Sequence, residues 1–465
     1  MMKRKKLFHI FLIIIIFSLS SNLRPFKGNT ERKPTSLLSQ SQKMKKGNIP
    51  EKIFSLKRRQ RRFPHSSYVP NEVLVKFKSH FSAETAEATI TAYDSTKIKR
   101  IPWINVYQIQ IPDYTTVEEM IFVLSQNPDV EYAEPNFIGH ITVTPNDAFF
   151  HWQYALYNSG QEIWDNGPRG TPRADIKATE GWEETTGVES VIVAVLDTGV
   201  DMLHPDIDEK IQSAGRDFVN DDYDATDDHW HGTHVAGIIA AESNNGRGIA
   251  GIAWNCKILP VKVADAQGDV PNSALIDGIV WAADNNAAVI NISLVDFPSQ
   301  SLEEALHYAY EKNIVIVASA GNDGGPVRYP AAYDEYCLAV AATDYNDNNP
   351  GWSNFGPQVD VAAPGVSILS LVPTRSRPEF PYDWSKDGTS MAAPHVSGLA
   401  ALIKGIKPWL ENWEIMDIIR YSADDVNSAQ HPGRDEFIGY GRINMEKALV
   451  PLIITSPLKR QPDSP

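Results

Sequence analysis

A parallel β-sheet flanked by helices on both faces, preceded by a small α+β unit, is the architecture this sequence predicts, and three observations carry it. Continuous apolar runs recur after Thr144: "VIVAVLD" (191–197), "CKILPVKV" (256–263), "AAVINISL" (287–294), "IVIVASAG" (314–321) and "CLAVAATD" (337–344). Strands that are apolar along their whole length are buried on both sides, as in a parallel sheet. Helical patterns lie between several of them, "HGTHVAGIIAA" (231–241), "NSALIDGIVWAADNN" (272–286) and "SLEEALHYAYEKN" (301–313); alternation of this kind is the mark of crossover units. Upstream the texture differs. "NEVLVKFK" and "VYQIQIP" alternate like half-buried strands, and "TTVEEMIFVLSQNPDVEYAEPN" gives an amphipathic helix, a proline break and a further strand, a strand–helix–strand unit over residues 68–140.

The N-terminus reads as an export segment. Lys3, Arg4, Lys5 and Lys6 precede an apolar run from Leu7 to Leu19, and Ser18 and Ser20 supply the small-x-small pattern that a signal peptidase cleaves. A spanning helix takes ~20 residues, so removal and release from the cytoplasm is the expected fate; an uncleaved anchor and a buried helix are the alternatives. No later stretch reads as a membrane span. The formal net charge of −15 hides an asymmetry: residues 1–100 carry 22 Lys+Arg against 6 Asp+Glu, while the remainder carries 21 against 52. The two portions attract one another, and so acidic a body is a poor nucleic-acid binder. The basic run "SLKRRQRR" (55–62) is a nucleic-acid patch or a solvated, protease-sensitive tether; in an exported, unpatterned linker the tether is the reading adopted. Cys256 and Cys337 lie in apolar, strand-like runs. Two cysteines make no disulfide scaffold in a chain of this length, so buried thiols are expected, with one bridge as the alternative. No CxxC or His-rich cluster suggests zinc. The expected organisation is a signal segment (1–21), a basic linker (22–68), the small domain (69–143), the large domain (144–455) and a short tail (456–465).

Ligands of open parallel sheets sit outside the carboxyl ends of the strands, where the polar residues that need explaining fall. Asp197 ends an aliphatic run ahead of Thr198-Gly199; a carboxylate there needs donors or a cation, and by itself it is as well a structural cap as an acid. In "HWHGTHVAG" (229–237), His231 can open a helix with its ring in a cleft, and His234 follows one turn later. The spacing lacks the glutamate of HExxH and a third metal ligand, so one catalytic and one packed imidazole fits better than a metal pair. "ASAGNDG" (318–324) leaves a strand through Gly321-Asn322, and that amide is a turn former or a donor into the cleft. In "KDGTSMAAPHVSGLAALI" (386–403), Ser390 stands among small residues where a helix begins. A nucleophilic serine needs a base and preorganised donors for its oxyanion, and a helix N-terminus supplies free N–H groups and positive partial charge. Pro394 is expected in the first turn, where its missing N–H costs little. Taken together these residues form a set, Asp197 to orient, His231 as base, Ser390 as nucleophile and Asn322 as oxyanion donor, in the chain order Asp…His…Ser.

The sequence resembles the subtilisin-like serine proteases, or subtilases. "AVLDTGVDMLHPDI", "HGTHVAGIIAA" and "DGTSMAAPHVSGLAALI" look like the three catalytic blocks and "ASAGNDG" like the oxyanion block, while "TPNDAFFHWQYAL" and "AAESNNGRGIAG" are similar to the thermitase branch. Residues 144–447 are covered, and residues 69–140 resemble the family's propeptide, an intramolecular chaperone and inhibitor that the enzyme removes. The resemblance implies an exported, self-processing serine endopeptidase acting on protein or peptide substrates through an acyl-enzyme. It also implies extended-peptide binding by β-augmentation, with backbone from residues 264–270, including Gly268, and 293–295, and with Gly321 beside the oxyanion residue. Ser293 and Leu294 match the wall of the S1 pocket. Val295 stands where members usually have Gly, which narrows the cleft, and "YPA" (329–331) replaces the usual "YPG". Asp323 and Arg328 map close to S1, so charge selectivity is open in either direction. Calcium is the implied ion, held by the side chains of Asp147, Asp206 and Asn245 and the carbonyls of Glu242, Arg247 and Ile249. A second ion at Asp217 and Asp221, within "DFVNDDYDATDD" (217–228), is weighed against a solvated acidic loop, which is the reading adopted. Rival readings are an inactive peptide-binding scaffold and a ligase working through the same acyl-enzyme.

Overall fold

The structure, a computed structural model, describes residues 68–138, 143–213 and 215–450. The expected signal segment, nearly all of the basic linker and the C-terminal tail lie outside these residues.

The small unit contains β1 (Tyr68–Phe77), α1 (Ala83–Ala92), β2 (Thr96–Ile101), β3 (Val106–Gln110), α2 (Val117–Ser125) and β4 (Val130–Phe137). Its four strands form a sheet in the order β2-β3-β1-β4, with β1 antiparallel to both neighbours. Alternation is the cause: Val73, Val75 and Phe77 on β1 and Tyr107 and Ile109 on β3 meet Ile90, Met120 and Leu124 of the two helices in one core. Both helices are capped. Ser82 accepts from the Thr85 amide, and Thr116 and Glu119 exchange side-chain-to-backbone bonds in a capping box. The unit is richer than the strand–helix–strand expected, since α1 and β2 carry few apolar residues: α1 buries only Ala86 and Ile90, and β2 is solvated along nearly its whole length.

The large unit is built on a seven-stranded sheet in the order β11-β10-β9-β8-β5-β7-β6, and all its pairings are parallel. Its strands are β5 (Ile192–Asp197), β6 (Arg216–Asp217), β7 (Lys257–Lys262), β8 (Val289–Ile292), β9 (Val315–Ser319), β10 (Cys337–Thr343) and β11 (Val359–Pro364). The helices are α3 (Ala178–Gly181), α4 (His231–Ala240), α5 (Asn272–Asp284), α6 (Gln300–Glu311), α7 (Thr389–Ile406), α8 (Asn412–Ser422) and α9 (Met445–Leu449). Successive strand residues point to opposite faces, and each face has its own core. Val193, Val195, Val289 and Val317 pack with α4 and α7, whereas Ala194, Leu196, Ile290 and Ile316 pack with α5 and α6. An antiparallel ribbon, β12 (Ile368–Leu371) with β13 (Tyr382–Lys386), leads into α7; the sequence reading did not separate it. Cys256 and Cys337 are buried free thiols.

Strand order reverses at β5. The chain runs from β5 to β7 on one side and then crosses to β8 on the other, so a crevice opens at the carboxyl ends of β5 and β8. Leu196 lies opposite Ile292 and Ile292 opposite Ala318, which brings the residues just beyond these rungs to a common rim.

Candidate active site

Asp197 sits at that rim as the last residue of β5, fully buried. Its Oδ1 accepts from the Thr198 amide at 2.8 Å and lies 2.7 Å from His231 Nδ1. An ionised carboxylate can only accept, so the imidazole proton is on Nδ1 and the lone pair is on Nε2. His231 is the first residue of α4, and the helix can start this close to β5 because its second residue is glycine. A Cβ at Gly232 would lie 2.0 Å from the Gly199 carbonyl and 3.0 Å from the Asp197 Cβ. Burial lowers the His231 pKa, but the charge and hydrogen bond of Asp197 outweigh it and the net displacement is upward. His234 is the packed imidazole: it is buried, its Nε2 is 3.2 Å from the Ile368 carbonyl, and burial with the neighbouring His231 drives it down to about 3.

Asp227 braces this junction and was not singled out in the sequence. Its carboxylate accepts from the Thr198 hydroxyl, the His229 amide, and both the amide and hydroxyl of Thr233, and the Thr198 oxygen in turn accepts from the Gly232 amide. Its place inside an acidic run disguised a fully buried residue.

Ser390 is the second residue of α7, and Asn322 lies just beyond β9. Asn322 Oδ1 accepts from the Thr389 amide at 2.8 Å and the Thr389 hydroxyl at 2.9 Å, which leaves its Nδ2 as the end that faces the cleft. A Cβ built on Gly388 would lie 3.5 Å from that Nδ2 and 3.6 Å from the Ser390 amide nitrogen. The two donors therefore border one small space, and glycine keeps it open. Gly321 binds the same helix start, its amide donating to the Thr389 hydroxyl at 3.1 Å.

Two features of Ser390 differ from expectation. Its hydroxyl donates to the Ser293 carbonyl at 2.9 Å rather than to His231. Pro394 is the sixth residue of α7, beyond the first turn. Lacking an N–H, it leaves the Ser390 carbonyl four residues earlier without its helical donor, and the Ser293 hydroxyl takes that role at 3.0 Å. Ser293 itself accepts from Asn291 Nδ2, and Asn291 Oδ1 accepts from the Ser397 hydroxyl, so a buried polar chain fixes the start of the helix.

Next along the wall Leu294 is half-buried, Val295 is 50% exposed and Phe297 79% exposed; the Asp296 amide pairs with the Tyr329 carbonyl at 2.8 Å. Asp323 and Arg328 form an exposed ion pair with each other. Gly268 closes an open turn at a φ of 85°, with the Asp265 amide bonded to the Asp269 carbonyl.

Of the expected cation ligands, Asp147 and Asp206 are buried, and Asp147 Oδ1 has no hydrogen-bond partner. Burial, with Asp147 and Glu242 nearby, pushes Asp206 up to about 7. Asn245 departs from expectation: its Nδ2 donates to Asp206 Oδ1 while its Oδ1 accepts from the Arg247 amide. The Ile249 amide takes Asp206 Oδ2 and the Glu242 amide takes the Asp206 carbonyl. Two crowded carboxylates with an orphaned oxygen fit a hard cation, whereas the Asn245 amide turns its nitrogen, not its oxygen, toward Asp206. Among the described residues no group of three or more His, Cys, Asp or Glu side chains gathers as a metal cluster. Asp217 is spent on its own loop, accepting from Val219 and Asn220, and Asp221 is turned to Arg216.

A subtilase-family model matches residues 189–441, and a fervidolysin N-terminal prodomain model matches residues 57–136. The chain is 39% identical over 385 residues to a thermophilic serine proteinase of Bacillus sp. (strain AK1), covering 82% of this chain and 88% of that one. It is 39% identical to thermitase of Thermoactinomyces vulgaris, covering 66% and 99%. A cell wall-associated protease of Bacillus subtilis (strain 168) is 35% identical over 74% of this chain and 41% of its own. Among solved structures, a protease from Pseudoalteromonas arctica PAMC 21717 aligns with a TM-score of 0.56 at 32% identity, over 66% of this chain and 99% of that one.

Proposed function

The chain belongs to the subtilase family and is a subtilisin-like serine endopeptidase with an N-terminal prodomain, and on that premise we propose that Ser390, His231 and Asp197 carry its reaction. The Ser390 hydroxyl swings from the Ser293 carbonyl toward His231, and its oxygen attacks the scissile carbonyl carbon as His231 Nε2 takes the proton. Asp197 holds the tautomer and stabilises the imidazolium. The oxyanion lies between Asn322 Nδ2 and the Ser390 N–H. Collapse expels the amine with the proton from His231; water, deprotonated by the same base, then attacks the acyl carbon, the Ser390 oxygen leaves with that proton, and the carboxylic acid product is released. The observation that carries this reading is the anchoring of Asn322 by Thr389, which leaves an amide donor and the Ser390 N–H bordering one small space against Gly388 and the Met391 sulfur.

The enzyme is secreted and made as a self-processing zymogen. Residues 1–21 direct export, residues 69–143 inhibit the large domain (144–455) until self-cleavage, and the linker (22–68) and tail (456–465) lie outside the catalytic unit. Among the described residues no helix is long and apolar enough to cross a membrane. A structural calcium ion would be held by the Asp147 and Asp206 carboxylates with Asn245 and the carbonyls of Glu242, Arg247 and Ile249, and would neutralise the two carboxylates. The test is Ser390→Ala in a protease-free host. The expected product is an unprocessed chain without peptidase activity, and full separation of the prodomain in that variant excludes self-cleavage.

A further inference from the structure

We propose that Lys386, seated on the ring of Trp230, is a positioning charge for the base, keeping the His231 imidazole neutral and able to accept a proton at lower pH. The proposal rests on the reading of His231 as the base. Trp230 precedes α4 directly, and its ring meets that of His231 edge to face at 5.3 Å. It also stacks on His229 at 5.2 Å and meets His234 edge-on at 6.1 Å. On this platform the Lys386 ammonium lies 4.0 Å from the ring centroid. The aromatic face holds a cation there, so the charge is fixed near the imidazole instead of sweeping through solvent.

The groups around His231 set the sign. Asp197 on β5 and Asp227 before α4 favour the imidazolium, and burial and Lys386 on β13 oppose it. His229 and His234 are driven toward the neutral form. The remaining charges are engaged elsewhere. Lys262, 1% exposed, bonds to Asp228 and to the Thr198 and Ala264 carbonyls. Asp387 accepts from the Ser367 amide. Asp383 is the exception, pairing with the Lys386 ammonium at 3.5 Å, but it is shared with Arg377 at 3.1 Å and with the amide and hydroxyl of Ser385, so it offsets the lysine in part and the lysine still acts against the imidazolium.

The acid limb of kcat/KM follows the ionisation of the base in the free enzyme. Removing a nearby positive charge raises that pKa, so Lys386→Met moves the acid limb to higher pH, by on the order of 0.5 pH unit at low ionic strength. Lys386→Arg, which keeps a cation that stacks on indole, restores the parent limb. Trp230→Leu, which removes the platform, moves it in the same direction as Lys386→Met. The displacement shrinks in ~1 M salt, because a partly exposed charge is screened. Rates are normalised to active sites titrated with a serine-directed phosphonate, so a poorly folded variant lowers the titre and leaves the pH profile readable. An acid limb of Lys386→Met that coincides with the parent's at low salt overturns the proposal, as does a displacement that high salt leaves intact. A parent protein that takes up no phosphonate overturns instead the reading of Ser390 and His231.

Discussion

Asn322 works through both ends of one amide. Its oxygen is held by the Thr389 amide and hydroxyl, so its nitrogen has little freedom except to face the cleft. Such donors act on the charge that develops in the transition state. Asn322→Ala is therefore expected to lower kcat by ~10²–10³ with little change in KM; steady-state kinetics on a peptide anilide checks it, and a kcat within a fewfold of the parent removes Asn322 from the role. Single residues were legible to different degrees. Asn322 alone reads as a turn former, and only Asp197, His231 and Ser390 in order made it a donor. Asp227 was hidden because nothing in an acidic run tells a buried carboxylate with four donors from a solvated one. The orientation of the Ser390 hydroxyl toward Ser293 was beyond reach as well, because it is a rotamer choice made by tertiary contact.

At the scale of elements, α7 shows how a defect in one helix is repaired by another part of the chain. Pro394 frees the Ser390 carbonyl, and Ser293, delivered by the end of β8, supplies the missing donor. Ser293→Ala leaves a buried carbonyl without that partner, which costs about 1–3 kcal/mol, and it removes the acceptor of Asn291. The expected outcome is a lower denaturation midpoint in a Ser390→Ala background, where self-digestion cannot interfere. An unchanged midpoint means that the helix start is held in some other way. Five of the seven strands of the large sheet and the helices α4, α5 and α6 follow from their periods within a few residues of their observed ends, whereas the fully buried β11, the two-residue β6 and the helix α8 do not. Elements with weak periodicity do not either: α1 and β2 bury little, and the β12–β13 ribbon owes its place to Thr374 bonding Asp201 and to Pro381 meeting His204, contacts between segments distant in sequence.

For the whole molecule, the parallel sheet was foreseeable because alternating apolar strands and helices admit few topologies, whereas the strand order that places the reversal at β5 is set by tertiary pairing. What the pattern could not convey is the cost of the polar groups enclosed with it. His395 is buried with Nδ1 at 2.8 Å from the Met391 carbonyl, and burial lowers it to about 4. An unfolded histidine titrates near ~6.5, so between ~6.5 and about 4 the unfolded chain binds more protons than the native one and stability falls as pH drops through that window. Denaturant titrations of the Ser390→Ala protein are expected to show this slope, and His395→Asn is expected to flatten it; equal slopes contradict the assignment. If Asp147 and Asp206 hold calcium, chelation lowers the thermal midpoint of the Ser390→Ala protein, whereas Asp206→Asn makes that midpoint insensitive to the chelator.

The most direct measurement reacts the mature protein with a serine-directed fluorophosphonate and maps the adduct by mass spectrometry. One adduct per chain on the peptide containing Ser390, strongly diminished by His231→Ala, is the expected result. A protein that cleaves peptides yet carries no adduct at Ser390, or labels equally fast without the imidazole, contradicts the assignment of Ser390 as a nucleophile activated by His231.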